Sequence, residues 1–321
     1  MASAKVVIAA IVAVALIIGI AVVFFNPQAE VDRLVIVVNP GVSARVSAAE
    51  AQELEKFLEE ELGVDVELYY PLSTAALIEA LKFEHAHVAL GVGTLAASLA
   101  IKNADVEMVL AEYRSVIIDG NEAVAPYYYS YFIVLRDSPY TTLDELRGKK
   151  ACFPSETSTS GFIMPMKLLV EKGYVKAEGV RTPRDLPQQF FGEVVFGGGY
   201  AQCWEALKKG SVDVTVMAGD VVADLYWEAM NNSRVLQLRD GSLAIAGPNP
   251  SHVVLIRRDL PPELKTRVVN TLLKLNERPD LMKKYVSAIF VRFEKRSTEE
   301  HLGPLLEALD VLGLADYYLG R

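Results

Sequence analysis

The chain has 321 residues, 51% of them apolar, with 15 prolines spread along it; this argues against disorder and leaves enough material for two lobes. Its 32 basic residues against 41 acidic ones leave a net charge of −9, with a pI near 5.1 and no long Lys/Arg block, which argues against a nucleic-acid partner. An anionic ligand stays open, because local donors in a cleft decide binding while net charge governs solubility and encounter.

Val6 to Phe25 carries no charged or strongly polar side chain and follows Lys5. At about 1.5 Å per residue this stretch spans the roughly 30 Å of a bilayer's hydrocarbon core. The lysine on its N-terminal side predicts an N-in orientation with the body extracytoplasmic. A cleaved signal peptide is the rival; no small-x-small site follows Phe25 and no cysteine offers a lipid attachment, so the expectation is an uncleaved single-pass anchor and tether over residues 1–30.

The body opens with a β-branched run, Arg33–Asn39, closed by Pro40-Gly41, which predicts a buried strand. Ser47 and Glu50 stand at capping-box spacing before a helix to Leu62 that Gly63 ends. A strand over Val64–Tyr69, a helix over Thr74–Phe83, a strand over Val88–Leu90 and a helix over Thr94–Lys102 follow, a βαβαβ order that predicts a parallel sheet with ligands at its strands' carboxyl ends. The turn Gly91-Val92-Gly93-Thr94 lacks the third glycine of a dinucleotide fingerprint. A strand over Glu107–Tyr113 then nearly completes the first lobe.

Tyr127–Leu135 predicts a strand with Tyr127, Tyr129 and Tyr131 on one face and Tyr128 and Ser130 on the other. The plain expectation is that these rings pack a core or cover a sheet; the alternative, for one or two of them, is to wall a cleft and donate a hydroxyl to a ligand. A second βα series runs through a strand at Lys149–Pro154, a helix ending at Gly173, a strand at Glu193–Phe196, the Gly197-Gly198-Gly199-Tyr200 turn, a helix over Ala201–Lys209 and a strand at Val212–Met217. Asp220 is expected to cap a helix through Met230. A strand at Val253–Arg257 and helices starting near Pro262, Pro279 and Thr298 finish the chain.

The stretch Ser155-Glu156-Thr157-Ser158-Thr159-Ser160-Gly161 carries the chemistry. Hydroxyls, a glycine and a helix start just after a strand make an oxyanion cradle, with the positive end of the helix dipole behind it. The plainer alternative is an N-cap serving only the helix's own amides. Pro165 lacks an N–H, so the helix either starts late or begins irregularly. Cys152 and Cys203 either pair in an oxidising exterior or stay as buried thiols. His85, His87, His252 and His301 form no zinc-like constellation, and no metal site is expected.

Tyr128-Tyr129-Ser130 followed by Asp137-Ser138-Pro139, the Leu143–Gly148 LDELRG turn, Ser158-Thr159-Ser160-Gly161 with Pro165, Gly199-Tyr200, Gly210-Ser211-Val212-Asp213 and Arg257–Leu260 together resemble the periplasmic phosphonate-binding protein family, the substrate receptors of ABC importers. The resemblance implies an α/β, two-lobed, periplasmic-binding-protein-like (type II) fold with two chain crossovers. It places lobe one at 31–126 plus 246–321 and lobe two at 127–245. It also implies that Ser158, Thr159 and Ser160 hold the oxyanion, that Tyr128 reaches it, and that Asp220 stands where the family pairs a ligand amino group. Thr74, Tyr200 and His252 occupy positions where the family has Tyr, His and Asp; losing that last carboxylate favours phosphonate, phosphite or phosphate over an aminophosphonate.

The expected function is therefore an extracytoplasmic solute receptor that binds a small oxyanion and serves a permease with ATPase subunits, with no cofactor and no catalysis. Two alternatives share the architecture. One is a ligand-sensing adaptor; the other is a phosphoester-processing enzyme, which lacks both a Gly-x-Ser-x-Gly elbow and a histidine placed to activate a serine.

Overall fold

The computed structural model of the protein describes residues 31–39 and 51–319. The apolar segment Val6–Phe25 and the Ser47–Glu50 pair lie outside them. Among the described residues no helix is long and apolar enough to cross a membrane.

Apolar β-branched runs build two mixed sheets. The first contains β1 (Arg33–Val38), β2 (Asp65–Tyr69), β3 (Val88–Val92), β4 (Val106–Ile118), β5 (Asn121–Ala125), β12 (Val253–Arg257) and β13 (Phe290–Glu294), in the order β13-β4-β12-β3-β1-β2 with β5 on β4. As the βαβαβ pattern predicts, β1 pairs in parallel with both β2 and β3. Gly91 and Val92 extend β3 where a turn is expected, and β4 runs well past Tyr113 to form a hairpin with β5.

The second sheet contains β6 (Tyr127–Leu135), β7 (Lys150–Phe153), β8 (Glu193–Phe196), β9 (Val214–Ala218), β10 (Ser233–Val235) and β11 (Ile245–Pro250), in the order β10-β6-β9-β7-β8 with β11 also on β6. β7 is parallel to β8 and β9. The chain crosses from the first sheet to the second at Pro126 and returns between Pro250 and Val253. This return falls later than the expected 246, because β11 pairs antiparallel with β6 up to Pro250–Tyr127.

Each sheet buries its own apolar cluster. Val37, Leu77, Ala89, Val92 and Leu255 belong to the first, and Phe132, Phe153, Phe162, Met166 and Phe190 to the second. The helix Thr298–Val311 gives Leu302 to the first cluster and Leu305, Ala308 and Leu309 to the second, so it bridges the two. Cys152 on β7 and Cys203, both buried in a further apolar cluster, form a disulfide with their Cα atoms 5.4 Å apart. This resolves the open choice in favour of the bond, and such bonds persist in oxidising compartments.

Candidate functional site

The cradle is built on the irregular helix start that Pro165 predicts. Thr159–Ile163 is a π-turn leading into the helix Met164–Glu171. Ser158 O accepts from both Phe162 N and Ile163 N at 3.0 Å, and Met164 N donates to Thr159 O. Continued by one residue, this i→i+5 register would pair Ser160 O with Pro165 N, which has no hydrogen. The side chain of Ser130 on β6 supplies the missing donor, its hydroxyl lying 2.7 Å from Ser160 O, and Asn249 Nδ2 on β11 holds that hydroxyl at 2.9 Å. Gly161 permits the tight approach: a Cβ there would lie 2.7 Å from Ser158 Oγ and 2.8 Å from Pro154 Cγ.

All eight residues singled out in the sequence, Thr74, Tyr128, Ser158, Thr159, Ser160, Tyr200, Asp220 and His252, line one cavity of about 430 Å³ between the two sheets. The parallel strands' carboxyl ends converge on it, through Asn39 after β1, Gly93 and Thr94 after β3, the cradle after β7 and Asp220 after β9. Ser160 Oγ is 3.0 Å from Tyr128 Oη, which donates to it, and 2.7 Å from Tyr200 Oη. Across the gap, Thr94 Oγ1 lies 3.0 Å from Thr159 Oγ1. A hydroxyl pair joined by one bond, or a chain of three joined by two, keeps one O–H beyond its own links. The cradle is thus satisfied internally and still has hydrogens to direct at a guest.

Thr94, Asn39 and Gly93 escaped the sequence reading, although a small-residue turn at a strand's carboxyl end was their signal. Arg114 escaped it too. Its signal was Glu112 and Arg114 two residues apart, hence on one face, in a largely apolar strand. Asp220 does not cap a helix: the following helix is Ala223–Asn232, preceded by Val222 with no side-chain cap. Its carboxylate instead accepts from Arg114 Nη1 at 2.8 Å. Arg114 also donates to Ser287 Oγ at 3.3 Å and has Glu112 Oε2 3.4 Å from its Nε. This ion pair joins β4 of the first sheet to the β9 turn of the second.

Burial sets the charge states. It pushes the Asp220 carboxyl up against the pull of Arg114, and does the same to the fully enclosed Glu112. It drives His252 well below the ordinary histidine value, with the Arg114 charge adding to the effect, so the ring is neutral. Tyr128 and Tyr200 are raised by the same loss of water and remain protonated donors. His87 and His301 serve the scaffold: His87 Nδ1 accepts from Val35 N at 2.9 Å, and His301 Nε2 bonds Ser251 O at 2.9 Å. Among the described residues no group of three or more His, Cys, Asp or Glu side chains could hold a metal ion.

The sequence that builds this fold matches a known family. The family model for the periplasmic substrate-binding protein of phosphonate ABC transporters matches residues 36–301. The chain belongs to this family. A curated relative, the phosphonates-binding periplasmic protein of Escherichia coli strain K12, is 29% identical over 124 residues, covering 37% of this chain. The chain spans about a third (34%) of that relative's length. Among solved structures, this phosphonate-family chain is similar to a Xanthomonas citri protein bound to ATP, with a TM-score of 0.65 at 18% identity over 88% of this chain and 98% of that one. It is likewise similar to the PhnD1 protein of Prochlorococcus marinus in complex with methylphosphonate, with a TM-score of 0.60 at 14% identity over 88% and 99% of the two chains. At these identities the likeness is one of fold.

Proposed function

We propose that this protein is the extracytoplasmic receptor of an ABC importer and that it closes its two lobes around a small oxyanion, a phosphonate, phosphite or phosphate. The observation that carries this reading is the placement of the Ser158–Ser160 hydroxyls, at a helix start after a parallel strand, on the wall of an interlobe cavity opposite Thr94. In a cleft closed to water, hydrogen bonds to an anion are charge-assisted and strong. Family membership supports the role, and the methylphosphonate bound by the Prochlorococcus protein supports the ligand class. In this reading the lobes are 33–125 with the chain from Val253 onward, and 127–250, with the helix Thr298–Val311 packed on both.

The permease and its ATPase are the partners, the Val6–Phe25 segment anchors the receptor to the membrane, and binding involves no bond cleavage. Calorimetry and thermal-shift measurements across phosphonates, phosphite, phosphate and sulfate test the proposal. Submillimolar binding of a phosphorus oxyanion, weakened at least tenfold in Ser158→Ala, is expected. No ligand below millimolar affinity overturns it.

A further inference from the structure

The cavity holds more than an anion's head. At about 30 Å³ for each water-sized volume, its 430 Å³ corresponds to roughly fourteen such volumes, several times what a four-atom oxyanion head occupies. Polar lining residues stand on both sides of the gap, Ser158–Ser160, Tyr128 and Tyr200 on one and Thr74 and Thr94 on the other. The two helices that carry Thr74 and Thr94 also present an apolar patch to the cavity. Ile78 lies one turn beyond Thr74 on the helix Thr74–Lys82, and Ala96 and Leu99 lie three residues apart on the helix Thr94–Asn103. These three side chains are half-buried: each packs in part on a core cluster and also lines the cavity. Their faces are adjacent, since the two helices pack on each other.

The charges facing the cavity point the same way. Among the described residues that line the cavity, Asp220 is the one carboxylate and none is lysine or arginine. Its charge is already met by Arg114 at 2.8 Å, a residue held behind the wall with 8% of its side chain exposed. A ligand ammonium drawn to Asp220 would have to share that carboxylate with the buried Arg114 guanidinium, a like charge 2.8 Å from the same group, and so meets a charge already neutralised.

Building on the receptor reading, we infer that the physiological ligand is an oxyanion bearing an uncharged, apolar substituent, with Ile78, Ala96 and Leu99 receiving the substituent and the Arg114–Asp220 pair excluding a cationic one. The test is calorimetry of the full-length protein with methylphosphonate, propylphosphonate and 2-aminoethylphosphonate, with inorganic phosphate as the unsubstituted reference. Burying a methylene strengthens binding about fourfold, so propylphosphonate should bind roughly fifteenfold more tightly than methylphosphonate. The 2-aminoethyl compound should bind at least tenfold more weakly than the propyl one. Equal or tighter binding of the aminoethyl ligand overturns the inference. Binding of phosphate and methylphosphonate with no gain for propyl also overturns it while leaving the receptor standing; failure of all four probes overturns the receptor reading itself.

Discussion

The π-turn under the cradle depends on a donor borrowed from another strand, and this makes Ser130→Ala a sharp perturbation. Ser130 is fully buried; it donates to Ser160 O at 2.7 Å and accepts from Asn249 Nδ2 at 2.9 Å. Truncation strands the Ser160 carbonyl, because the residue that the helix register would offer it is Pro165. It also leaves Asn249 Nδ2 with only the longer contact to Ala246 O at 3.4 Å. An unsatisfied buried polar group costs about 1–3 kcal/mol, so with one group orphaned outright and one weakened the loss should be about 2–4 kcal/mol. The same logic predicts a rescue. Pro165→Ala restores an N–H at the position that faces Ser160 O, and in the Ser130→Ala background it should recover about 1–2 kcal/mol. In the wild type the acceptor is already taken, so Pro165→Ala should be neutral or cost up to about 1 kcal/mol through added unfolded-state entropy. Urea denaturation of the four proteins closes the double-mutant cycle. Two effects that add within about 0.5 kcal/mol would refute the account of the turn.

Ser160→Ala removes the hydroxyl that Tyr128 and Tyr200 share. It should weaken methylphosphonate binding roughly tenfold to a hundredfold, the worth of one hydrogen bond to a charged group, and calorimetry measures it. Gly219→Ala places a Cβ 2.2 Å from Ile117 O, where the backbones of the two lobes meet, and should cost about 1–3 kcal/mol or more in denaturation midpoints. Cys152→Ala with Cys203→Ala opens a loop with a sequence separation of 51 and should lower stability by roughly 4 kcal/mol on chain-entropy grounds; a loss under about 1 kcal/mol contradicts this. Glu112 is raised by burial above its ordinary 4.5, so its contribution to stability is fully present below that value. That contribution is lost as pH rises through the higher folded-state value, and Glu112→Gln should flatten this decline when unfolding is followed from pH 4 to pH 9.

The resemblance rested on short motifs, and the family match over residues 36–301 agrees with it. Local chemistry made the elements legible. The runs Tyr127–Leu135, Glu193–Phe196 and Val253–Arg257 are strands with the predicted limits, because apolar β-branched and aromatic runs between turn residues have few other ways to bury themselves. The irregular start before Pro165 was legible for an equally local reason, the missing N–H. The hydroxyls of 158–160 could be placed at a strand's carboxyl end from their order alone.

What the order of residues could not disclose is which distant groups meet. The bond between Cys152 and Cys203, the contact of Thr94 with Thr159, the loan of Ser130 to Ser160 and the pairing of Arg114 with Asp220 join residues 30 to 106 positions apart. The return of the chain at Pro250 was hidden for the same reason, since it follows from β11 choosing β6 as its partner. Periodicity encodes which face of a segment is buried, and it is silent on what lies against that face. The packing of two sheets around one gap supplies that information, and it turns a row of hydroxyls into one wall of a cavity that Thr94 faces from the other sheet.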